Sequence, residues 1–271
     1  MDKTPNNQPD WDNMAEKFDT WLPHIEPVGT ALIEVLGAKA GDHILDVASG
    51  TGEPALTLAR SFNQSITVTG VDAAEGMVRV ANNKVAKEGL KGISFQTMPV
   101  EKLQFADEQF DKVLCRFGVM LFDDPELGVQ EMYRVLKPGG RYALAVWGEA
   151  ETMPTMYWSY QVFKGKVPDE SLPPLAKITS MGVPGAIDTL LKNAGFTQIN
   201  VERRRFEYQF DSFDSYWEIV ESSDLLRQQY DALPAETKHT IRNEVAGFAQ
   251  KHITEEGFKV PHEYLLVYGN K

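Results

Sequence analysis

The chain has 271 residues and a formal net charge of −12, with 27 Lys and Arg against 39 Asp and Glu. Hydrophobic residues make up 42% and charged residues 24%, which is ordinary for a globular protein. This length suits one large α/β domain with additions, or two small domains. The acidic balance argues against a nucleic-acid partner, because affinity for a polyanion depends on clustered Lys and Arg.

No apolar run approaches the roughly 20 residues that a membrane-spanning helix needs. The first residues are polar and lack the apolar core of a signal peptide. A single cysteine, Cys115, excludes an internal disulfide and argues against cysteine-ligated zinc. We therefore expect a cytoplasmic protein with no membrane span and no metal.

The chain is predicted to begin with a disordered tail over residues 1–10, which are rich in Asn, Pro and Asp. Residues 11–21 carry apolar side chains at nearly helical spacing, which predicts an amphipathic helix. This helix either packs on the main domain or covers a ligand as a lid. A second helix is predicted over residues 28–36, ending at Gly37, and His24 is placed in the loop before it.

Residues 44–52, ILDVASGTG, predict a buried parallel strand followed by a tight glycine turn. Gly50 and Gly52 permit positive φ angles and a close approach of the backbone to a ligand. A helix is predicted from Glu53, with Pro54 near its first turn. A strand, a glycine-rich turn and a helix N-terminus together form a binding edge in doubly wound sheets.

A second strand, residues 66–72, ends in Asp72, which lies about 20 residues beyond Gly52, the offset of a carboxylate that binds a ribose diol. The turn fits only the permissive, alanine-ended form of the dinucleotide fingerprint, so a dinucleotide is not excluded by it. The phosphate-binding P-loop pattern is absent from the sequence.

Further elements follow in alternation. Helices are predicted over residues 74–89 and 124–136, with a turn at residues 137–140, and strands over residues 93–98, 110–115 and 141–147. Residues 148–179 lose helical periodicity and gain prolines, methionines and aromatic residues. That segment is either the wall of an apolar pocket or an ordinary packed helix.

The last third predicts a sixth strand over residues 197–208, two helices over residues 212–227 and 235–252, and a final strand over residues 261–270. Three consecutive arginines, Arg203 to Arg205, must point to both faces of the sixth strand. Protection of a sheet edge is therefore their predicted role.

Four stretches carry a family resemblance: ILDVASGTGEPAL, VTGVDAAEGMV, LQFADEQFDKVLCRFGVMLFDDP and EMYRVLKPGGRYAL. They resemble the successive motifs of class I S-adenosylmethionine-dependent methyltransferases, and most of all the ubiquinone/menaquinone-biosynthesis C-methyltransferase type. The match runs from about Trp11 to Trp147. The chain departs from the family's first motif at Ala48, where the family has glycine.

The resemblance implies a doubly wound, seven-stranded, mostly parallel sheet of Rossmann-like type. It places a helical lid at residues 11–36 and a helical insertion between the last two strands. Residues 11–271 would form one methyltransferase domain, with residues 148–180 and 210–258 on the substrate side.

The resemblance also implies that S-adenosyl-L-methionine is the cofactor, with S-adenosyl-L-homocysteine as its product. Asp72 would bind the ribose hydroxyls, and Asp46 would organise the turn or receive the ammonium group. Many relatives carry an aspartate for the adenine amino group where this chain has Pro99. The cofactor-binding residues implied are Asp46, Ala48, Ser49, Gly50, Thr51, Gly52, Asp72, Ala73, Met77, Met98, Pro99, Val100, Glu101, Cys115, Arg116 and Phe117.

Arg116 has three open roles: a clamp on the cofactor carboxylate, a partner for an acidic substrate, or a cover for the following helix. The role expected for the Cys115 side chain is a small buried apolar group. The catalytic residue stays unknown, because the cofactor carries its own activated methyl group. Candidates for a base are Asp19, His24, Tyr157, Tyr160, His239 and His262.

The leading hypothesis is C- or O-methylation of a small, moderately apolar molecule, by a monomer or homodimer. Alternatives are N- or S-methylation of a metabolite, protein methylation, and a non-catalytic regulatory protein that binds S-adenosylmethionine. A nicotinamide dehydrogenase shares the strand-turn-acid arrangement but lacks support from the later motifs.

Overall fold

The computed structural model describes residues 10–169, 172, 174–222, 230–231, 233–255 and 257–271. Residues 1–9 of the predicted disordered tail and residues 223–227 of the predicted helix over residues 212–227 lie outside these residues. The helices are α1 (Trp11–Phe18), α2 (Leu22–Leu36), α3 (Ala55–Ser61), α4 (Glu75–Glu88), α5 (Pro125–Val135), α6 (Pro154–Phe163), α7 (Leu175–Ile178), α8 (Ala186–Ala194), α9 (Phe213–Ser222) and α10 (Ala235–Ala249).

The strands are β1 (His43–Val47), β2 (Thr67–Asp72), β3 (Ile93–Thr97), β4 (Phe110–Arg116), β5 (Leu136–Trp147), β6 (Asn200–Phe210), β7 (Ile253–Thr254) and β8 (Gly257–Asn270). Seven of them follow the order β3-β2-β1-β4-β5-β8-β6. The two-residue β7 pairs with β8 beside this path, so the sheet has one short strand more than expected.

The sheet is parallel over its first five strands and antiparallel around β8. The order steps outward from β1 in both directions, so the switch point lies between β1 and β4. The carboxyl ends of β1, β2 and β4 therefore meet at one edge of the sheet. This confirms the doubly wound, mostly parallel fold, with helices α9 and α10 inserted between β6 and β8.

Helix α2 begins earlier than predicted. Its first turn contains Pro23, whose missing N–H has no partner to lose there. The helix continues through Pro27 and ends at Gly37, which has a left-handed conformation. His24 is therefore a helical residue, and its placement in a loop was wrong.

The predicted turn at residues 137–140 is part of β5 in the structure. The Gly139 N–H donates to the Lys271 carbonyl at 3.0 Å, and the Lys271 N–H donates to the Gly140 carbonyl at 2.9 Å. Because these turn residues pair with the end of β8, the strand extends back to Leu136. A shift of register opposite residues 110 and 112 accommodates the extra residues.

Candidate functional site

The turn after β1 is held in a left-handed conformation. Ala48 has φ 53° and Gly50 has φ 53°, although an alanine adopts this region only at an energetic cost. Gly118 relieves crowding beside Ala48, since a Cβ at residue 118 would stand 2.6 Å from the Ala48 Cβ. The turn therefore stays sharp without glycine at its first position.

Asp72 faces this turn. Its Oδ2 accepts a hydrogen bond from the Gly50 N–H at 2.9 Å, and its Oδ1 accepts one from the Ala74 N–H at 2.9 Å. Burial raises the pKa of Asp72, and the two backbone donors oppose this effect. The backbone thus fixes the direction of the carboxylate and leaves further lone pairs for a ligand.

Asp46 and Ser49 are buried polar side chains at the same edge, at 1% and 3% exposure. Among the described residues, neither Asp46 oxygen nor the Ser49 hydroxyl has a hydrogen-bond partner. Burial raises the pKa of Asp46 well above its usual value, and the charge of Arg116 opposes this effect. Unsatisfied buried groups are costly, and a polar ligand would satisfy them.

The turn opens into a cavity of about 380 Å³. At one end it is lined by Ser49, Gly50 and Asp72, and the loop from Met98 to Glu101 continues this wall. The Glu101 carboxylate also accepts hydrogen bonds from the N–H groups of Asp123 and Asp124, at 2.9 and 3.2 Å.

The other end of the cavity is aromatic and apolar. Phe117 and Trp147 stack there with ring centroids 3.6 Å apart. Phe117 itself has φ 58°, a second non-glycine residue in the left-handed region at this site. Further parts of the wall come from α2, α6, α9 and β6, and they include Trp21, Thr155, Met156, Ser159, Tyr208 and Tyr216. Phe18, after which α1 ends, lies beside Gly50 at the turn.

Arg116 stands between the two ends. One of its guanidinium nitrogens donates to the Glu53 carbonyl at 2.8 Å. Burial lowers the pKa of Arg116, while the charges of Asp46 and Glu53 raise it. Within the described part of the chain, no carboxylate forms an ion pair with it. The side chain is thus a cation with unused donors at the cavity wall.

The protein-family comparison identifies residues 28–179 as matching the ubiE/COQ5 methyltransferase family, more than half of the chain. The chain belongs to that family. One relative, the ubiquinone/menaquinone biosynthesis C-methyltransferase UbiE of Geotalea daltonii, is 35% identical over 49% of this chain and 62% of its own length. Demethylmenaquinone methyltransferase of Bacteroides fragilis is 38% identical over 49% of this chain and 57% of its own length.

Solved structures match over nearly the whole chain. The YcgJ protein of Bacillus subtilis has a TM-score of 0.62 at 20% identity, covering 91% of this chain and 98% of its own. Phosphoethanolamine N-methyltransferase 2 of Haemonchus contortus has a TM-score of 0.61 at 19% identity, covering 100% of this chain and 61% of its own. At such identities these structures show a shared fold. The curated relatives match over less than two thirds of their own length.

Most of the residues expected to hold a cofactor line the cavity of this ubiE/COQ5 family member. They are Ala48, Ser49, Gly50, Asp72, Ala73, Met77, Met98, Pro99, Val100, Glu101, Arg116 and Phe117. Asp46 lies behind the turn, buried. Gly52 has φ 105°, and a Cβ there would stand 2.7 Å from a Leu56 methyl carbon, so glycine is needed at this position for the turn of the backbone.

Two of the expected residues face elsewhere. The Thr51 hydroxyl donates to Asp19 at 2.6 Å, towards α1. Cys115 is fully buried in the core, and burial raises the pKa of its thiol. Its side chain is the small buried group that was expected, and it does not line the cavity.

The structure does not bring the base candidates to the cavity wall. His24 packs against Phe210, with ring centroids 4.6 Å apart, and Tyr160 packs on the core. Asp19 is bound by Thr51 and by the Lys84 ammonium group. Tyr157 does not line the cavity, and His239 is exposed on α10. His262 lies directly behind the wall.

Sequence reasoning missed Trp21, Ile25, Tyr208, Tyr216 and Val220, which all line the cavity. The alternation of exposed and buried residues in β6 is the one local signal for Tyr208. For the others, the tertiary packing of α2 and α9 decides the position. In the described residues, no three His, Cys, Asp or Glu side chains cluster as metal ligands, and none of the described helices is long and apolar enough to cross a membrane.

Proposed function

We propose that this chain is an S-adenosylmethionine-dependent methyltransferase that methylates a small, moderately apolar acceptor. The observation that carries the proposal is the pairing of unsatisfied buried polar groups, Asp46 and Ser49, with an adjoining aromatic cavity. A polar, charged cofactor and an apolar acceptor together match these two ends. The family membership supports the same reading.

The residues of the turn fit the cofactor. Asp72, oriented by Gly50 and Ala74, would take the ribose hydroxyls. Asp46 lies behind the turn and lacks a hydrogen-bond partner among the described residues, so it would organise the turn or take the ammonium group of the methionine part. Arg116, with unused donors beside it, would take the carboxylate of the cofactor or an oxygen of the acceptor.

The adenine would lie along the loop from Met98 to Glu101, with Ala73 and Met77 beside it. Both backbone N–H groups donate to Glu101 Oε1, which orients the carboxylate and leaves Oε2 able to accept an adenine amino proton. We therefore propose that Glu101 or a backbone carbonyl of this loop replaces what an aspartate at position 99 would supply.

The bound cofactor supplies an activated methyl group on its sulfonium. The chain's own residues then have two tasks, to align the acceptor with that group and to exclude water. Helices α1 and α2 close one side of the cavity, which supports the proposal that residues 11–36 act as a lid. Residues of α6 and α9 close the other side, in the segments 148–180 and 210–258.

The acceptor is proposed to be planar and aromatic, and C-methylation is the favoured reaction. One curated relative is named a ubiquinone/menaquinone biosynthesis C-methyltransferase and another a demethylmenaquinone methyltransferase. Stacked rings such as Phe117 on Trp147 suit a flat apolar body. O-, N- and S-methylation and a non-catalytic binding role remain alternatives. We further propose a cytoplasmic monomer or homodimer without a nucleic-acid partner.

Calorimetry with S-adenosylmethionine and S-adenosylhomocysteine tests the cofactor site. We expect the parent chain to bind both, and Asp72→Ala to weaken S-adenosylhomocysteine at least about 10-fold, the loss expected from hydrogen bonds to a charged group. Asp111→Ala is the matched control, because Asp111 is held by Lys137 and His43 away from the cavity. Binding of neither compound by the parent chain would contradict the proposal.

A panel of hydroxylated and aminated aromatic compounds, incubated with S-adenosylmethionine and followed by product mass spectrometry, separates the reaction types. A new carbon–methyl bond in the product supports C-methylation. Methyl groups found only on oxygen, nitrogen or sulfur would replace that part of the proposal and leave the cofactor assignment intact.

A further inference from the structure

A buried histidine stands directly behind the acceptor side of the cavity. His262 on β8 has no solvent exposure, and its ring stacks on that of Tyr208 with centroids 4.1 Å apart. Its two ring nitrogens each have a partner. Nδ1 lies 3.0 Å from the Val260 carbonyl oxygen, and Nε2 lies 2.8 Å from the Thr155 hydroxyl oxygen.

These partners fix where the protons lie. A carbonyl oxygen can only accept, so Nδ1 must carry the ring proton. Nε2 of the neutral ring is then an acceptor, and the Thr155 hydroxyl must donate to it. Burial lowers the pKa of His262 to about 4, so the ring is neutral at ordinary pH.

This direction of the hydrogen bond determines what Thr155 can offer to a ligand in the cavity. Thr155 is 6% exposed and lines the cavity wall. Its only hydroxyl proton is committed to His262, so any hydrogen bond that its oxygen makes with a ligand in the cavity must use a lone pair. Two neighbours hold the same turn of α6 in place, because the hydroxyls of Ser159 and Tyr216 donate to the Thr155 carbonyl at 3.1 and 3.3 Å.

We propose that Thr155 is the specificity-determining hydrogen-bond acceptor for the methyl acceptor, and that His262 is the positioning residue that sets its direction. The ligand group read there is a hydrogen-bond donor on an aromatic ring, such as a hydroxyl. This inference rests on the proposed function, because it assigns the acceptor end of the same cavity. A capped oxygen, such as a methoxy group, has no proton to give and is rejected.

The residues that surround the Thr155 hydroxyl come from two parts of the chain. His262, Tyr208 and Tyr216 all lie outside residues 28–179, the part of the chain that matches the family. Thr155 lies inside it. Acceptor choice is therefore set where the chain's C-terminal elements meet the segment that matches the family, while the turn residues Ser49, Gly50 and Asp72 at the cofactor end lie within that segment.

The test compares 2-naphthol with 2-methoxynaphthalene, titrated by tryptophan fluorescence with and without S-adenosylhomocysteine. We expect the parent chain to prefer 2-naphthol by about 5- to 10-fold, the value of one hydrogen bond made in a buried site. Thr155→Val should abolish this preference by weakening 2-naphthol alone, and Thr155→Ser should restore it.

His262→Phe keeps a ring against Tyr208 but frees the Thr155 proton. The released hydroxyl can then donate into the cavity, so the preference should shrink towards equality or reverse. A loss of packing alone would weaken both probes alike. Thr179→Val is the matched control, because this buried threonine donates to the Leu175 carbonyl and does not line the cavity.

Equal binding of the two probes by the parent chain, or an unchanged preference in Thr155→Val, would overturn the inference. In either case, normal S-adenosylhomocysteine binding leaves the proposed function standing. Failure of S-adenosylhomocysteine to bind counts against the proposed function, while the titration without it still decides the role of Thr155.

Discussion

Asp46 and Asp111 are aspartates on the neighbouring strands β1 and β4, with opposite electrostatic surroundings. Asp46 is buried without a hydrogen-bond partner among the described residues, and burial raises its pKa. Burial also acts to raise the pKa of Asp111, but the Lys137 ammonium and the His43 N–H lower it overall. A charged Asp46 therefore lowers the free energy of unfolding, whereas a charged Asp111 raises it.

Asp46→Asn should stabilise the ligand-free protein and impair cofactor binding. We expect the free energy of unfolding at pH 7 to rise by about 1–2 kcal/mol, because an unpaired buried charge is removed. The pKa of Asp46 is raised on folding, so the folded protein binds its proton more tightly. The advantage of the variant should therefore shrink as pH falls through the raised pKa of the folded state towards the ordinary carboxyl range near 4.

Urea unfolding across this pH range measures the effect, and calorimetry should show S-adenosylhomocysteine binding weakened about 10-fold. Asp111→Asn is the control of opposite sign and should lose stability at pH 7. A variant at Asp46 that is both less stable and normal in binding would show that the carboxylate is structural.

At the scale of elements, α1 is attached to the main domain through polar contacts at both of its ends. Asp12 accepts a hydrogen bond from the Gly76 N–H at the start of α4. Asp19, just beyond the helix, accepts from the Thr51 hydroxyl and pairs with Lys84 at 2.8 Å. Lys84 also donates to the Thr51 carbonyl at 2.9 Å, which ties α1 to the cofactor turn. The contacts suit a cover that can open.

Lys84→Met should loosen α1 without unfolding the protein. The Lys84–Asp19 pair is partly exposed, so its loss is worth about 1 kcal/mol or less. We expect faster amide exchange over residues 11–18 and dissociation of S-adenosylhomocysteine that is up to about 5-fold faster. Lys192→Met, which breaks an exposed pair with Asp188, is the matched control. Unchanged exchange in Lys84→Met would remove Lys84 from this role.

For the whole molecule, β8 joins the parallel core to the edge strand β6. It lies between β5 and β6, pairing with β6 over residues 258–268 and with β5 over residues 264–270. The three consecutive arginines of β6 are all paired: Arg203 and Arg205 with Glu263 at 2.9 and 2.6 Å, and Arg204 with Glu202 at 2.8 Å. Charged side chains on an edge strand oppose pairing with another chain.

Glu263→Gln should destabilise the whole fold by about 1–3 kcal/mol, since a mostly buried carboxylate held by two arginines loses its charge. Burial acts to raise the pKa of Glu263, but the hydrogen bonds from Arg203 and Arg205 lower it overall. A lowered pKa gives stability that is present above the ordinary value and is lost as pH falls through the folded value.

The difference in thermal unfolding between the parent chain and Glu263→Gln should therefore begin to shrink near the ordinary carboxyl range of about pH 4, and should vanish only below the lowered pKa of the folded state. Glu207→Gln, on the same edge strand, is the control that should have little effect at any pH. A difference between the parent chain and Glu263→Gln that persists unchanged at low pH would trace the loss to packing.

Local patterns determined the cofactor end of the site. The strand, turn and acid of residues 44–72 lie close together in sequence, so their geometry follows from local backbone rules, and Asp72 faces the turn as its position at the end of β2 predicts. The alternation of helices and strands likewise predicted the doubly wound sheet. The predicted start of α2 was too late, because Pro23 lies in the first turn of the helix, where a proline is tolerated.

The sequence by itself thus determined the fold class, the cofactor turn and its carboxylate. Only the tertiary structure decided the acceptor end, because its walls come from α2, α6, β6 and α9, which are far apart along the chain. Tyr157 and Tyr160 lie in the right segment but not on the cavity wall, whereas Thr155 lines it. That difference depends on how α6 is rotated against β8, where His262 lies, and long-range packing of this kind leaves no local pattern in the sequence.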